Sequence, residues 1–279
     1  MRQPGAGGLL MSAPVTALFR PRTLNDALKM RAEQPGATVM AGGTDVMVYI
    51  ESGTLKPTAI LDLWGCSGLR WQQSITGGQF HGAGLTCTDV LRSGQSHPLL
   101  EAAAATVGAV QIQNRATLGG NICNASPAGD TLPVWLALKA EFEVASVRGR
   151  RRIPAASFWQ GYKKIDLRPD ELFLGILIPP LFGHTHFRKV GTRLAQSISK
   201  VVFAGRYNPG VDACLAFGAV GPTPMRCLKA ETALVAGAAV DDVVQLVREE
   251  IAPIDDIRST AVYRRQVAGN IVRRWLTSL

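Results

Sequence analysis

The sequence predicts an α+β protein in two parts. Two patterns carry that reading: short apolar strands alternate with helices up to about residue 180, and beyond it strands come first and helices follow. Size is the third observation, since 279 residues that are 47% hydrophobic can fill two cores. Residues 1–16 are rich in Gly, Ala and Pro and are expected to form a flexible extension, with Met11 a candidate native start. A first domain is expected over 17–180 and a second over 181–279, divided near "PPLFG".

In the first part, Thr23 is placed to cap a helix over "LNDALKMRA", with Leu24, Ala27 and Leu28 on one face. "ATVMAGGTDVMVYIES" reads as a short strand, a glycine turn and a second apolar segment. "AILDL" and "QFHGAG" read as strands, and "TDVLRSG" and "LLEAAAATVG" as helices. "DTLPVWLALKA" starts as a helix, where a proline in the first turn is tolerated. "EFEVAS", a turn at "VRGR", and "ELFLGILIP" continue the strands. In the second part, "THFRKVG", "VVFAGRY" and "DACLAFGAVG" read as antiparallel strands. Two helices are expected after them, "DDVVQLVREEIA" and "STAVYRRQVAGNIVRRWL", the latter capped by Ser259 or Thr260.

Composition narrows the function classes. No apolar run reaches a membrane-spanning length, and the N-terminus lacks a secretory layout, so a cytoplasmic protein is expected. Five scattered cysteines without a CxxC pair fit reduced thiols and argue against an iron–sulfur cluster or structural zinc in this chain. The net charge of +9 is spread along the sequence with no nucleic-acid motif, which favours a solvated surface or a docking face for an acidic partner. His184 and His186 alternate in "HTH" without further ligands, and the four histidines form no acid–base set beside a glycine turn.

Two short motifs point to chemistry. "AGGTD" (Ala41, Gly42, Gly43, Thr44, Asp45) follows the strand "TVM" directly. Its glycines allow positive φ and close approach of backbone N–H groups to phosphate oxygens, although a strand followed by such a turn is by itself ordinary. It is not the GxGxxG fingerprint of a dinucleotide-binding Rossmann fold. "TLGGNICNASPAGD" repeats the chemistry with Thr117, Gly119, Gly120 and Asn121. Fourteen small and polar residues between apolar segments read as a functional loop. Together the two turns could grip a diphosphate, with Asp130 either an acceptor for a ligand hydroxyl or a helix cap.

These two motifs resemble the FAD signatures of the flavoprotein (medium) subunit of molybdenum hydroxylases, the family of xanthine, carbon monoxide and aromatic-heterocycle dehydrogenases. "PDELFLGILIP", "FRKVGTRLAQSISKV", "GPTPMR", "AETALVAG" and "DIRSTAVYRR" resemble further family segments in order, so the likeness runs from Phe19 nearly to the C-terminus. The resemblance implies a two-part FAD-binding domain of the vanillyl-alcohol oxidase (PCMH) type followed by a smaller α+β domain. It also implies FAD contacts at Val39, Met40 and the residues through Asp45, and at Thr117, Gly119, Gly120, Asn121, Asn124 and Asp130. Phe173 or Leu174 would pack on the flavin, and Lys189 would reach it from the second domain. Ser197 stands near a point where some carbon monoxide dehydrogenases have a stacking tyrosine. The implied partners are an iron–sulfur subunit with 2Fe-2S clusters and a large subunit with molybdopterin, in a heterotrimer or a dimer of heterotrimers. A stand-alone flavin oxidoreductase of the vanillyl-alcohol oxidase type, and an assembly subunit that has lost its flavin, are the alternatives.

Overall fold

A computed structural model describes residues 15–279; the expected N-terminal extension lies outside them except for its last two residues. Three short strands, β1 (Ala17–Phe19), β2 (Thr38–Met40) and β3 (Ala59–Asp62), form a sheet in the order β1-β3-β2. Both pairings are parallel, which requires crossovers, and these are α1 (Leu24–Glu33) and α2 (Val46–Glu51). Thr23 caps α1 by accepting from the Asp26 N–H at 3.2 Å. The apolar segment after the first glycine turn is therefore a helix, α2.

A second, antiparallel sheet contains β4 (Gln72–Ile75), β5 (Gly78–Gly82), β6 (Glu141–Ser146), β7 (Gly149–Pro154) and, after a ribbon of β8 (Trp159–Gly161) and β9 (Lys164–Ile165), β10 (Leu172–Ile178). Strand β10 lies in the middle, between β5 and β6, and is covered on both faces, which is why its sequence "LFLGILI" is continuously apolar. The basic run "RGRRR" is half of the β6–β7 hairpin, where Arg150 pairs with Glu143 and Arg151 with Glu171 and Asp166. Helices α3 (Cys87–Ser93), α4 (Pro98–Ala104), α5 (Val110–Gln113), α6 (Leu118–Asn124), α7 (Leu132–Ala137) and α8 (Ala155–Phe158) fall between these strands. Phe142, Phe158, Trp159 and Phe173 meet edge-on or tilted in the core, with centroids 5.0–5.9 Å apart.

The stretch expected to be a long loop, 117–130, is half helix. Thr117 caps α6 by accepting from the Gly120 N–H at 3.1 Å, and Ala125 closes it in the left-handed region at φ 49°. Two glycines in a helix cost about 1 kcal/mol each. Tertiary contact offsets this: the Leu118 and Gly119 N–H groups donate to the Leu85 and Ala83 carbonyls, and a Cβ at Gly119 would stand 2.8 Å from that of Ala83.

The remaining chain builds an antiparallel sheet from β11 (His184–Val190), β12 (Val201–Asn208), β13 (Asp212–Gly218) and β14 (Met225–Arg226), followed by three helices rather than two: α9 (Leu228–Val235), α10 (Val240–Glu250) and α11 (Ala261–Thr277). Thr260, not Ser259, caps α11. The sheet's faces alternate with the pleat. Val201, Phe203, Leu215 and Phe217 pack with Val244, Val247, Val272 and Trp275 of the helices, whereas Ala204, Cys214 and Ala216 join the core of the preceding sheets. Small side chains on that face let α7 lie close, and Arg206 Nε donates to the Ala137 carbonyl at 3.1 Å.

Arg206 is 1% exposed and is neutralised by a two-pronged bond to Asp212 at 2.6 and 2.7 Å, which Lys139 also contacts. The Arg206 guanidinium holds the Asp212 carboxyl well below the usual carboxylate range. Asp212→Asn strands a buried charge and is expected to cost about 3–5 kcal/mol near neutral pH. A depressed carboxyl pKa stabilises the fold above the unfolded value of about 4, and that contribution fades as pH falls through the folded value. Urea unfolding of both proteins should show the gap between them narrowing below about pH 4; a pH-independent gap would contradict the assignment.

Candidate cofactor-binding site

The two glycine turns open on one cavity of about 1700 Å³, larger than the roughly 300–1,000 Å³ typical of small-molecule sites. Strand β2 delivers the first turn and α6 delivers the second, and β11 with the segments after it forms the far wall. Of the residues singled out by sequence, Val39, Ala41, Gly42, Gly43, Thr44, Asp45, Thr117, Gly119, Gly120, Asn121, Asn124, Asp130, Phe173 and Lys189 line this cavity. Met40 and Leu174 do not. Met40 belongs to the strand and its carbonyl accepts the Leu63 N–H, while Leu174 points away and its carbonyl accepts the Ala83 N–H. Leu172 and Phe173 at the start of β10 both line the cavity, and a register irregularity between Phe173 and Gly175 interrupts the pleat beyond them.

The turns differ in their hydrogen bonding. Among the described residues, the N–H groups of Gly42, Gly43, Thr44 and Asp45 have no acceptor within the protein, and Gly43 sits at φ 78°. Successive free amides in such a turn form an anion-binding concavity. In the second turn the N–H groups of Leu118, Gly119, Gly120 and Asn121 all have protein acceptors. What that turn offers is space at Gly120 and the Asn121 side-chain amide, whose oxygen accepts from the Thr131 hydroxyl at 2.6 Å and whose NH₂ stays free.

Asp130 lines the cavity with its carboxylate already held by protein donors. Its carboxylate accepts from Lys189 Nζ at 2.6 Å and from the Ser199 hydroxyl at 2.5 Å, and Lys189 also donates to the Thr106 carbonyl at 2.9 Å. Both side chains of the pair are under 10% exposed. Burial pushes the Asp130 carboxyl up, and Lys189, Ser199 and Thr106 pull it back. At the other side, burial raises the Asp45 carboxyl against Lys163 and Asn124. Lys163 donates to the Tyr49 hydroxyl at 2.7 Å and to Asn124 Oδ1 at 3.1 Å.

The profile of the family described as "FAD binding domain in molybdopterin dehydrogenase" matches residues 13–181. The chain belongs to that family. A second profile, "CO dehydrogenase flavoprotein C-terminal domain", matches residues 188–279. The chain is 31% identical over 271 residues to the xanthine dehydrogenase FAD-binding subunit of Escherichia coli O157:H7, covering 91% of this chain and 92% of that one. It is 30% identical to the glyceraldehyde dehydrogenase medium chain of Sulfolobus acidocaldarius over 268 residues, covering 92% and 95%. Among solved structures, reconstituted CO dehydrogenase from Oligotropha carboxidovorans superposes with a TM-score of 0.87 at 25% identity, covering 95% of this chain and 97% of the other.

The cavity of this molybdenum-hydroxylase flavoprotein fits FAD on its own geometry. Free amides suit a diphosphate, the open side of Gly120 suits a chain passing over α6, and Phe173 with Lys189 suits a flat ring with polar edges. Among the described residues, neither a histidine nor a reactive thiol is placed for covalent attachment. None of the four histidines lines the cavity, and His81 is wholly buried with both ring nitrogens unpartnered, so burial lowers it to about 4. Cys123 lines the cavity, yet burial pushes its thiol up to about 12, which removes the nucleophilic thiolate.

Tyr49, Lys163, Thr106, Ser199 and Asn121's partner Thr131 were not singled out by sequence reasoning. Tyr49 and Lys163 lie 114 residues apart, and no local pattern joins them. A cap was the one local signal near Asp130, and Thr131 takes that position instead.

Gly42 and Gly120 separate folding from binding. A Cβ at Gly42 would stand 1.7 Å from the Arg115 carbonyl oxygen, so Gly42→Ala is expected to damage the fold itself. At Gly120 the added Cβ meets only the Thr117 hydroxyl at 2.8 Å. The helix gains about 0.5–1 kcal/mol and the cap loses a similar amount, so the apo melting temperature of Gly120→Ala should stay close to wild type. Its flavin content after purification should fall several-fold. Equal flavin content in wild type and Gly120→Ala would remove α6 from the binding map.

Proposed function

We propose that this chain binds FAD without a covalent bond and acts as the electron-transfer subunit of a molybdenum-containing hydroxylase. The observation that carries the reading is the meeting of both glycine turns, Phe173 and Lys189 around one cavity. The chain receives electrons from 2Fe-2S clusters of a partner subunit and passes them to an external acceptor, and a third, molybdopterin-bearing subunit performs the substrate chemistry. Bound FAD supplies the redox chemistry, and the protein supplies binding, orientation and electrostatics.

Each residue group has a part in this scheme. The Gly42–Asp45 amides hold the diphosphate, Asn121 and the backbone after α6 hold the ribityl chain, and Phe173 packs against the cofactor. Lys189, fixed by Asp130, presents its remaining N–H toward the cavity. Ser197 donates to the Arg193 carbonyl at 3.0 Å at the cavity wall, so no aromatic ring stacks there, which disfavours carbon monoxide as the substrate. One relative is named a FAD-binding subunit and another a medium chain, which supports an assembly of a heterotrimer or its dimer. The family profiles support a FAD domain over 17–180 and a C-terminal domain over 181–279. Among the described residues no helix is long and apolar enough to cross a membrane, and five unpaired cysteines, four of them buried, support a cytoplasmic setting.

Acid precipitation of the purified complex should release FAD into the supernatant. Flavin reduction by heterocyclic or aldehyde substrates should require both partner subunits. Reduction by the isolated chain at the rate of the assembly would instead favour a stand-alone flavin oxidoreductase; protein that stays colourless with added FAD would exclude the cofactor.

A further inference from the structure

We infer that Arg115, which does not line the cavity, is a positioning residue that orients the Gly42–Gly43 peptide so that its N–H faces the cofactor. The inference rests on the FAD reading above. The Gly42 carbonyl accepts from Arg115 Nε at 3.2 Å, and Arg115 is not among the residues lining the cavity. A trans peptide sends its C=O and N–H in opposite directions, so holding the carbonyl aims the Gly43 N–H the other way. Between two glycines nothing local prevents that peptide from flipping, because either residue reaches positive φ at little cost.

The hold on Arg115 is itself built. Its guanidinium lies over the Trp64 ring, 3.6 Å from the centroid, and Arg70 approaches the same ring at 5.6 Å. Arg70 is fixed by a two-pronged bond to Asp89, 2.8 Å on each arm. Asp89 completes the capping box of α3 with Thr86. That helix is tied to the second turn, since the Cys87 N–H donates to the Ala116 carbonyl at 3.0 Å and Thr86 bridges Thr117. The chain of contacts therefore starts at one glycine turn and closes on the other. Arg115's own backbone is part of it, since the Gly42 Cα rests on the Arg115 carbonyl.

The test uses the full chain stripped of FAD, with ¹⁵N labelling, and compares wild type with Arg115→Ala, Arg115→Lys and Trp64→Leu. Loss of a charge-assisted hydrogen bond predicts FAD affinity about tenfold weaker in Arg115→Ala. Arg115 is exposed, so its apo melting temperature should move by no more than about 2 °C. The Gly43 amide resonance of the apoprotein should shift in Arg115→Ala and return toward the wild-type position in Arg115→Lys, which can still donate to the carbonyl. Trp64→Leu should weaken FAD by a smaller factor in the same direction. An Arg115→Ala protein with wild-type FAD affinity, or one whose weaker binding comes with an unmoved Gly43 amide, would overturn the inference. Wild-type apoprotein that fails to take up FAD would instead overturn the cofactor reading.

Discussion

The ion pair between Asp130 and Lys189 is the contact on which the cavity depends. Asp130 follows the second glycine turn, and Lys189 lies on β11 of the C-terminal sheet, 59 residues later. Two charges removed from water are costly unless each finds its remaining hydrogen bonds. Here Ser199 and the Thr106 carbonyl complete the set. All four groups come from different segments, so the set closes only when the C-terminal sheet sits against α4 and the 126–130 turn. An apolar contact of equal area would tolerate sliding; a bond network this short does not. The wall that carries Lys189 is thereby fixed in register with the turns it faces.

The same sheet shows how a continuous apolar strand is used when both faces are covered. On β12 and β13 the large side chains point to α10 and α11, and the small ones point to α7. Arg206 breaks that pattern from within the small face. Its position there is sustained by Asp212 and by two backbone carbonyls, those of Ala137 and Phe182, so one polar group joins α7, β11's leading loop and the β12–β13 hairpin.

Much of this fold could be read from the chain, and the parts that could not have identifiable causes. Strands β10, β12 and β13 and helices α1, α10 and α11 announce themselves by apolar runs, amphipathic spacing or a Thr cap. Helix α6 does not, because Gly, Gly and Asn are poor helix formers and its N–H partners come from Ala83 and Leu85. Helix α9 has no side-chain cap of its own: the Glu250 carboxylate accepts from the Lys229 and Ala230 N–H groups, each at 2.9 Å, from the end of α10. A cap supplied from some twenty residues away leaves no local mark. At the site, the glycine turns were visible because glycine is a distinctive choice. Lys189 was reached only through the family resemblance, and Tyr49, Lys163, Ser199 and Thr106 were not reached at all, because Lys, Tyr, Ser and Thr are ordinary surface types until tertiary contact brings them together.

The two turns look alike in sequence and differ in physical character. In the second turn, backbone N–H groups hold α6 to the β5–α3 connection, and its small residues shape the cavity floor. In the first, four consecutive N–H groups have no protein acceptor among the described residues. Elsewhere around the cavity, formal charges are matched: Asp130 with Lys189, and Asp45 near Lys163. Among the described residues, the peptide N–H groups at Gly42–Asp45 are thus positive dipole ends that no protein acceptor meets. In the proposed reading the diphosphate is the group that meets them. The orientation of a single peptide plane there carries more weight than the count of lysines on the cavity wall, because a dipole acts at hydrogen-bond range and reverses its sign when the plane turns over.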